Sequence, residues 1–405
     1  MSADERHDLA GMRVALVLAT SAGGVGSHVR SVAAGLAGRG GHVAVLGPAP
    51  TDELFGFAAA GTRFEAVDIS DRPRPVQDAR AVARLRAMLS GADVVHAHGL
   101  RAGALAALAV RSIRSGPPLV VTLHNAAPTG RLAGAPYAVL ERIVARGAAS
   151  VLAVSPDLEQ RMRDLGARSV ARALVPAPPA PPARADARAR VRAELGAGQR
   201  PLIVTIARLA EQKGLPTLLD AAAAWARRVP RPLVAIAGDG PLEADLRARI
   251  EREDLPVRLL GRRSDVPDLL AAADVAVMPS LWEGQPLILQ EILRAGRPLV
   301  ATRVGGVAAL LGAVDGASGE ATGEAPGAAL GEAAGAAAGD AAGRAGLLIP
   351  VSDPPALVAA VNRILDDPAL AVRLGAAAAQ RAVALPTESD AVAQLTAVYR
   401  KLIAH

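Results

Sequence analysis

Residues 274–303 read DVAVMPSLWEGQPLILQEILRAGRPLVATR. VAVMPS, residues 275–280, is an apolar run of strand length, and PLVATR, residues 298–303, is another. Between them, Leu287 to Ala295 carries apolar residues at helical spacing, and Pro286 suits the first helical position. Strand, helix and strand in one segment make a crossover unit. Such units need parallel strands covered on both faces.

The same alternation runs outward in both directions. The first half carries RVALVLA (13–19), HVAVLG (42–47), RFEAVDI (63–69), DVVHAHG (93–99), LVVTLH (119–124) and SVLAVS (150–155). Helical stretches lie between most of them, for instance Ser27 to Gly38 and Val76 to Leu89. The second half carries PLIVTIAR (201–208), PLVAIAG (232–238), VRLLG (257–261) and GLLIP (346–350) beside the two strands already read. Val175 to Ala183, VPAPPAPPA, is too rich in proline for a helix or a central strand and reads as a stiff linker. The expectation is an α/β chain of two doubly wound domains. The boundaries are 1–176 for the first, 177–183 for the linker and 184–386 for the second. Ligands of such sheets bind beyond the carboxyl ends of the strands, and a cleft between the two domains is the expected site.

Two segments stand outside the alternation. Residues 312–343 are almost entirely Ala, Gly and Glu, too little apolar surface to offset ordering, and read as an insertion between two strands. The end, 387–405, opens with Thr387 and Asp390 in the Thr-x-x-Asp pattern of a helix start.

Composition excludes several classes. No apolar run approaches the ~20 residues that span a bilayer. The acidic, polar start SADERHD is not that of a signal peptide, and cysteine is absent, so disulfides and thiolate metal sites are excluded. A cytoplasmic location is the default expectation. Residues 1–176 carry the whole net charge of +6, and the remainder is neutral. Two readings of that asymmetry stand: a basic solvated surface, or a weak contact with an anionic partner such as the inner face of a membrane. The helical stretch Val76 to Leu89 carries Arg80, Arg84 and Arg86, with Arg72 and Arg74 just before it. Nucleic acid is not an expected partner, because aromatics make up only 2% of the chain.

Several residues can carry chemistry. Glu283 follows the strand VAVMPS on a turn, and Glu291 lies inside the next helix. A carboxylate at 283 can accept hydrogen bonds from sugar hydroxyls, and one at 291 can take two ribose hydroxyls. The first-turn amides near Leu287 and Ile288 form an anion site helped by the helix dipole. The plain alternative is an ordinary helix with an acidic start. Arg208 and Lys213 lie just past the strand PLIVTIAR, where two cations could clamp a diphosphate; a solvated loop is the alternative. Lysine occurs only at 213 and 401, against 43 arginines, so a lysine at 213 stands out. Gly23 and Gly24 follow the first strand, where backbone approaches phosphate or sugar closely, although a simple turn explains them too. His96, His98 and His124 lie at or near strand carboxyl ends. His96 reads as buried and structural, and His124 as functional. No Asp-x-Asp pair is present to hold a divalent metal on a diphosphate.

In order and spacing, GGVGSHVRSVAAGLAGRGGHV, ARLAEQKG, AGDGPLEADLRARI, the long stretch from LLGRRSDVP through WEGQPLILQE to ATRVGG, and AGLLIPVSDPPALVAAV together resemble the family-4 glycosyltransferases of GT-B architecture. The likeness spans nearly the whole chain except the insertion. It departs from the family at VPAPPAP, where an Asn-Gly pair is usual. The resemblance implies retaining, metal-independent transfer of a hexosyl group from a nucleotide-diphosphate sugar, with no cofactor and an acceptor left unidentified. Glu283 and His124 take the catalytic positions. Gly24, Arg208, Lys213, Gly240, Arg262, Arg263, Glu283, Gly284, Leu287, Ile288 and Glu291 take the donor side, with Arg262 and Arg263 at the base-binding loop. Gly23, Gly24 and His98 take the acceptor side. The final helix is expected to cross back to the first domain. Two rival functions are a non-catalytic sugar-nucleotide-binding protein and a sugar-nucleotide epimerase on a related fold.

Overall fold

A computed structural model describes residues 8–21, 23–125, 134–312 and 345–404, with backbone alone at 134 and 135. Apart from Gly312, the Ala- and Gly-rich insertion lies outside the described residues. The chain divides into two compact units, Met1–Pro178 with Pro386–His405, and Pro179–Leu385.

The first unit holds seven strands, β1 (Arg13–Leu18), β2 (His42–Gly47), β3 (Arg63–Ala66), β4 (Val94–His98), β5 (Leu119–Leu123), β6 (Ser150–Ala153) and β7 (Val170–Arg172). They form one sheet in the order β3-β2-β1-β4-β5-β6-β7, and every pairing is parallel. β4, β5 and β6 are buried at every residue, as continuous apolar runs demand. β7 was not legible, because a three-residue edge strand containing Arg172 carries no apolar run.

The last helix, Glu388–Ile403, packs within this unit. Thr387 and Asp390 close a reciprocal capping box at its start. Gln394 grips the strand after it pairs: its amide donates to the Arg172 carbonyl at 2.8 Å and its oxygen accepts from the Leu174 N–H at 3.0 Å. Gly35, on the helix Gly24–Ala37, is needed for the approach, since a Cβ there would stand 2.4 Å from the Val392 side chain. Tyr399 is fully buried.

The second unit holds β8 (Leu202–Ile206), β9 (Leu233–Ala237), β10 (Val257–Leu259), β11 (Val275–Met278), β12 (Leu299–Thr302) and β13 (Leu347–Ile349). Their order is β10-β9-β8-β11-β12-β13, again parallel throughout. With few aromatics to use, the core is built from Leu, Val, Ile and Ala around the buried Trp225. The strand order reverses between β1 and β4 in one unit and between β8 and β11 in the other. Those are the switch points at which doubly wound sheets take ligands.

Two local expectations change. Pro286 has ψ 122 and is extended, so it caps the helix from outside, and the helix runs Leu287–Arg294. Within the proline-rich stretch, Val175 and Ala177 are buried in the first unit, and the exposed part is residues 179–182.

Candidate active site

The carboxyl end of β11 carries Ser280, Trp282 and Glu283, and the loop after β8 carries Arg208, Gln212 and Lys213. Glu283 is 5% exposed. Its Oε1 accepts from Lys213 Nζ at 2.5 Å and from Ser280 Oγ at 2.8 Å. Among the described residues its Oε2 accepts a single long bond, 3.4 Å, from the Gln212 side-chain amide. A buried carboxylate must be paired and hydrogen-bonded to be tolerated, and Glu283 is both. Lys213 is thus set against Glu283, a pairing that the sequence spacing did not suggest. Arg208 is exposed and has no side-chain bond among the described residues.

Glycines hold this loop in place. Gly305, after β12, has φ +47, and a Cβ there would stand 1.9 Å from the Glu283 carbonyl oxygen. The Gly306 N–H then donates to the Gly284 carbonyl at 2.8 Å. Gly214 has φ +60, and a Cβ there would stand 2.0 Å from the Pro279 carbonyl oxygen. No other residue type fits either place. The Thr302 hydroxyl donates to the Ser280 carbonyl at 2.5 Å, tying β12 to the same loop. Gly240 lies past β9, where a Cβ would stand 2.5 Å from the Leu209 carbonyl oxygen. Its smallness therefore serves the packing of the two loops.

Glu291 lies in the second turn of the helix Leu287–Arg294 and is half-buried. Burial raises its pKa, opposed by the nearby charge of Arg294. Its carboxylate has no hydrogen bond among the described residues. The first amides of the same helix, Leu287 and Ile288, have no helical carbonyl to meet. A carboxylate and two N–H groups with no hydrogen bond among the described residues thus occur on one short helix, beside the paired Glu283. Arg262 is exposed, while Arg263 is spent on Asp265 and Glu194. The guanidinium of Arg263 therefore shapes its loop, leaving the backbone as the part open to a ligand.

The first unit presents a different chemistry. His98 ends β4, His124 follows β5, and His28 sits one turn into the helix Gly24–Ala37. The ring centres of these three lie 5.5 to 5.8 Å apart. His98 Nδ1 lies 3.2 Å from His124 Nε2, and His98 Nε2 is buried with no hydrogen-bond partner among the described residues. Burial pushes the His28 pKa down to about 4. Burial, then the neighbouring imidazoles, hold His98 and His124 well below the ordinary range. All three are neutral near pH 7 and can exchange hydrogen bonds with hydroxyls. His96 is structural: one nitrogen lies 2.6 Å from the Tyr399 hydroxyl and the other 2.7 Å from the Thr122 hydroxyl. Gly23 caps the helix above them, and a Cβ there would touch nothing within 4 Å, so the space is open. Gly24 is that helix's first residue. No group of His, Asp and Glu among the described residues could hold a metal ion.

Sequence reading missed Gln212, Ser280 and Tyr399, whose residue types and spacing do not mark them, and His28, which lies inside a helix and not at a strand end. Gly214 and Gly305 left a signal, each just past a motif residue or a strand end.

A model of the "Glycosyl transferase 4-like domain" matches residues 23–178, and one of "Glycosyl transferases group 1" matches residues 200–367. The chain is 29% identical over 329 residues to the alpha-D-kanosaminyltransferase of Streptomyces kanamyceticus, covering 76% of this chain and 77% of that one. It is 41% identical over 81 residues to the UDP-Gal:alpha-D-GlcNAc-diphosphoundecaprenol alpha-1,3-galactosyltransferase of Escherichia coli, covering 19% of this chain and 21% of that one. Among solved structures, Anabaena HepE in complex with UDP is similar with a TM-score of 0.75 at 19% identity, over 96% of this chain and all of that one. The sucrose-phosphate synthase of Thermosynechococcus elongatus is similar with a TM-score of 0.75 at 21% identity, over 97% and 99%.

Proposed function

Because the chain belongs to the family-4-like glycosyltransferases of GT-B architecture, we propose that it uses a nucleotide-sugar donor and transfers a hexosyl group from the nucleotide diphosphate with retention and without a metal ion. The observation that carries this is the Glu283–Lys213 pair beside the unbonded Glu291 at the switch point of the second sheet. Glu291 takes the ribose hydroxyls. Arg208, Lys213 and the amides of Gly284, Leu287 and Ile288 take the diphosphate and stabilise it as it leaves. Backbone near Gly240, Arg262 and Arg263 borders the base. Glu283 meets the transferred sugar, and on the first unit His124 is assigned to catalysis and Gly23, Gly24 and His98 to the acceptor. Cations and amides carry the charge work that a divalent ion would otherwise supply.

Retention is supported by the relatives named for α-linked products. Those relatives are transferases, which favours transfer over epimerisation or non-catalytic binding. Anabaena HepE has been solved with UDP-glucose, which puts UDP sugars first among donors to try.

The acceptor side includes a basic surface. Arg80, Arg84 and Arg86 are exposed on the helix Pro75–Leu89, with Arg72 and Arg74 exposed before it and Val76 67% exposed. The buried Arg101 pins this segment by bonds to the Ser70 and Arg72 carbonyls and the Asp78 carboxylate. No helix among the described residues is long and apolar enough to cross a membrane. We read the surface as a weak contact for anionic lipid.

Calorimetry with UDP-glucose, UDP-galactose, GDP-mannose and ADP-glucose tests the donor. One of them binds the wild type, and Glu291→Ala weakens it at least 100-fold, about 2.7 kcal/mol. Unchanged affinity in the variant removes the assignment.

A further inference from the structure

Glu283 is held by more than its lysine. Gln212 touches the segment Leu281–Glu283 at three consecutive residues. Its backbone carbonyl accepts the Leu281 N–H at 2.8 Å. Its side-chain amide donates to the Trp282 carbonyl at 2.9 Å and to Glu283 Oε2 at 3.4 Å. Ser280 completes the grip from the other side, its hydroxyl on Oε1 at 2.8 Å while its carbonyl takes the Thr302 hydroxyl.

The two carboxylate oxygens are therefore not equivalent. Oε1 meets an ammonium and a hydroxyl at short range, while Oε2 has one long bond among the described residues. A carboxylate offers about four lone-pair sites, so Oε2 keeps acceptor capacity for an incoming hydroxyl. Nothing about Glu283 alone would select that oxygen. Ser280 and Lys213 fix Oε1, and Gln212 fixes the rotation that leaves Oε2 turned away from them.

The geometry points to Gln212 and Ser280 as positioning residues that set sugar specificity, by presenting Glu283 Oε2 to one hydroxyl of the transferred hexose. This rests on the donor reading above. It adds that nucleotide affinity and sugar recognition are separable, because neither residue is assigned to the nucleotide.

The test compares Gln212→Ala, Gln212→Glu and Ser280→Ala with the wild type. Calorimetry uses whichever of UDP-glucose, UDP-galactose, GDP-mannose or ADP-glucose the wild type binds, alongside its nucleoside diphosphate. Thermal unfolding midpoints confirm that the variants fold. The expected result is nucleoside diphosphate affinity within twofold of wild type and nucleotide-sugar affinity weakened 10- to 100-fold. The wild-type preference among hexoses sharing that nucleotide narrows as well. Gln212→Glu separates hydrogen bonding from filling of space. Glutamate matches glutamine in size but cannot donate, and it places a second carboxylate beside Glu283, so it loses more than Ala does. Equal losses for diphosphate and sugar nucleotide overturn the proposal, as does a Gln212→Glu variant that binds like wild type. A wild type that binds none of the four sugars instead removes the donor reading itself.

Discussion

The two sheets end in opposite chemistry at equivalent places. Past β8 and β11 lie a largely buried ion pair and, with no side-chain bond among the described residues, the Arg208 guanidinium and the Glu291 carboxylate. Past β1, β4 and β5 lie three neutral imidazoles, one of whose nitrogens has no partner among the described residues. A charged, hydrogen-bonded edge suits a diphosphate, whose charge needs fixed cations and amides. A neutral, donor-and-acceptor edge suits hydroxyl groups, which need partners of either kind. One topology thus offers two chemistries because the switch point fixes where side chains gather, and the loops fix which.

The largest effect should come from breaking the charged edge through its backbone. Gly305→Ala forces a Cβ toward the Glu283 carbonyl and displaces the loop that holds the carboxylate. Donor affinity by calorimetry should fall more than 100-fold, with about 1–3 kcal/mol lost from stability through strain. A variant that binds donor normally would show that this loop tolerates movement.

The neutral edge should break under acid. Its imidazoles bind protons less readily folded than unfolded, so their stabilisation is full above the unfolded pKa of about 6.5 and shrinks as pH falls. His28, held near 4, accounts for a loss on the order of 3 kcal/mol by that pH, and His96, held near 3 by burial and then by His28, adds to it. Both tryptophans, Trp225 and Trp282, lie in the second unit. In an acid titration, far-UV circular dichroism should therefore change before tryptophan emission does. Coincident transitions would mean that the histidines do not set the acid limit.

The smallest effect concerns the basic helix. Arg80→Glu with Arg84→Glu should reduce flotation with phosphatidylglycerol vesicles by about 1 kcal/mol per arginine, and should leave neutral phosphatidylcholine vesicles unaffected. Wild-type chain that ignores anionic vesicles at low salt would end the membrane reading.

Twelve of the thirteen strands were legible, because parallel strands buried on both faces must be apolar runs, and such runs read directly. Only β7, short and at an edge, escaped. The site was legible in part. Glu283, Glu291, Arg208 and Lys213 stand at strand ends or helix starts and show themselves by charge. Lys213 was read as one of two cations for a diphosphate; that it lies against Glu283 was not legible, since spacing in sequence does not say which loops touch. Gln212 and Ser280 had no chance of being read, because a glutamine and a serine are ordinary loop residues until their partners are known.

By itself, the sequence determined the two parallel sheets, the Thr387–Asp390 helix start and the family, all consequences of local periodicity and short-range chemistry. The tertiary structure alone decided that Lys213 pairs with Glu283, that Gly305 must be glycine, that His28 joins His98 and His124, and that Tyr399 reaches His96 from the last helix. Each of these joins residues from separate loops or elements, so it exists only once the crossovers have stacked the strands side by side.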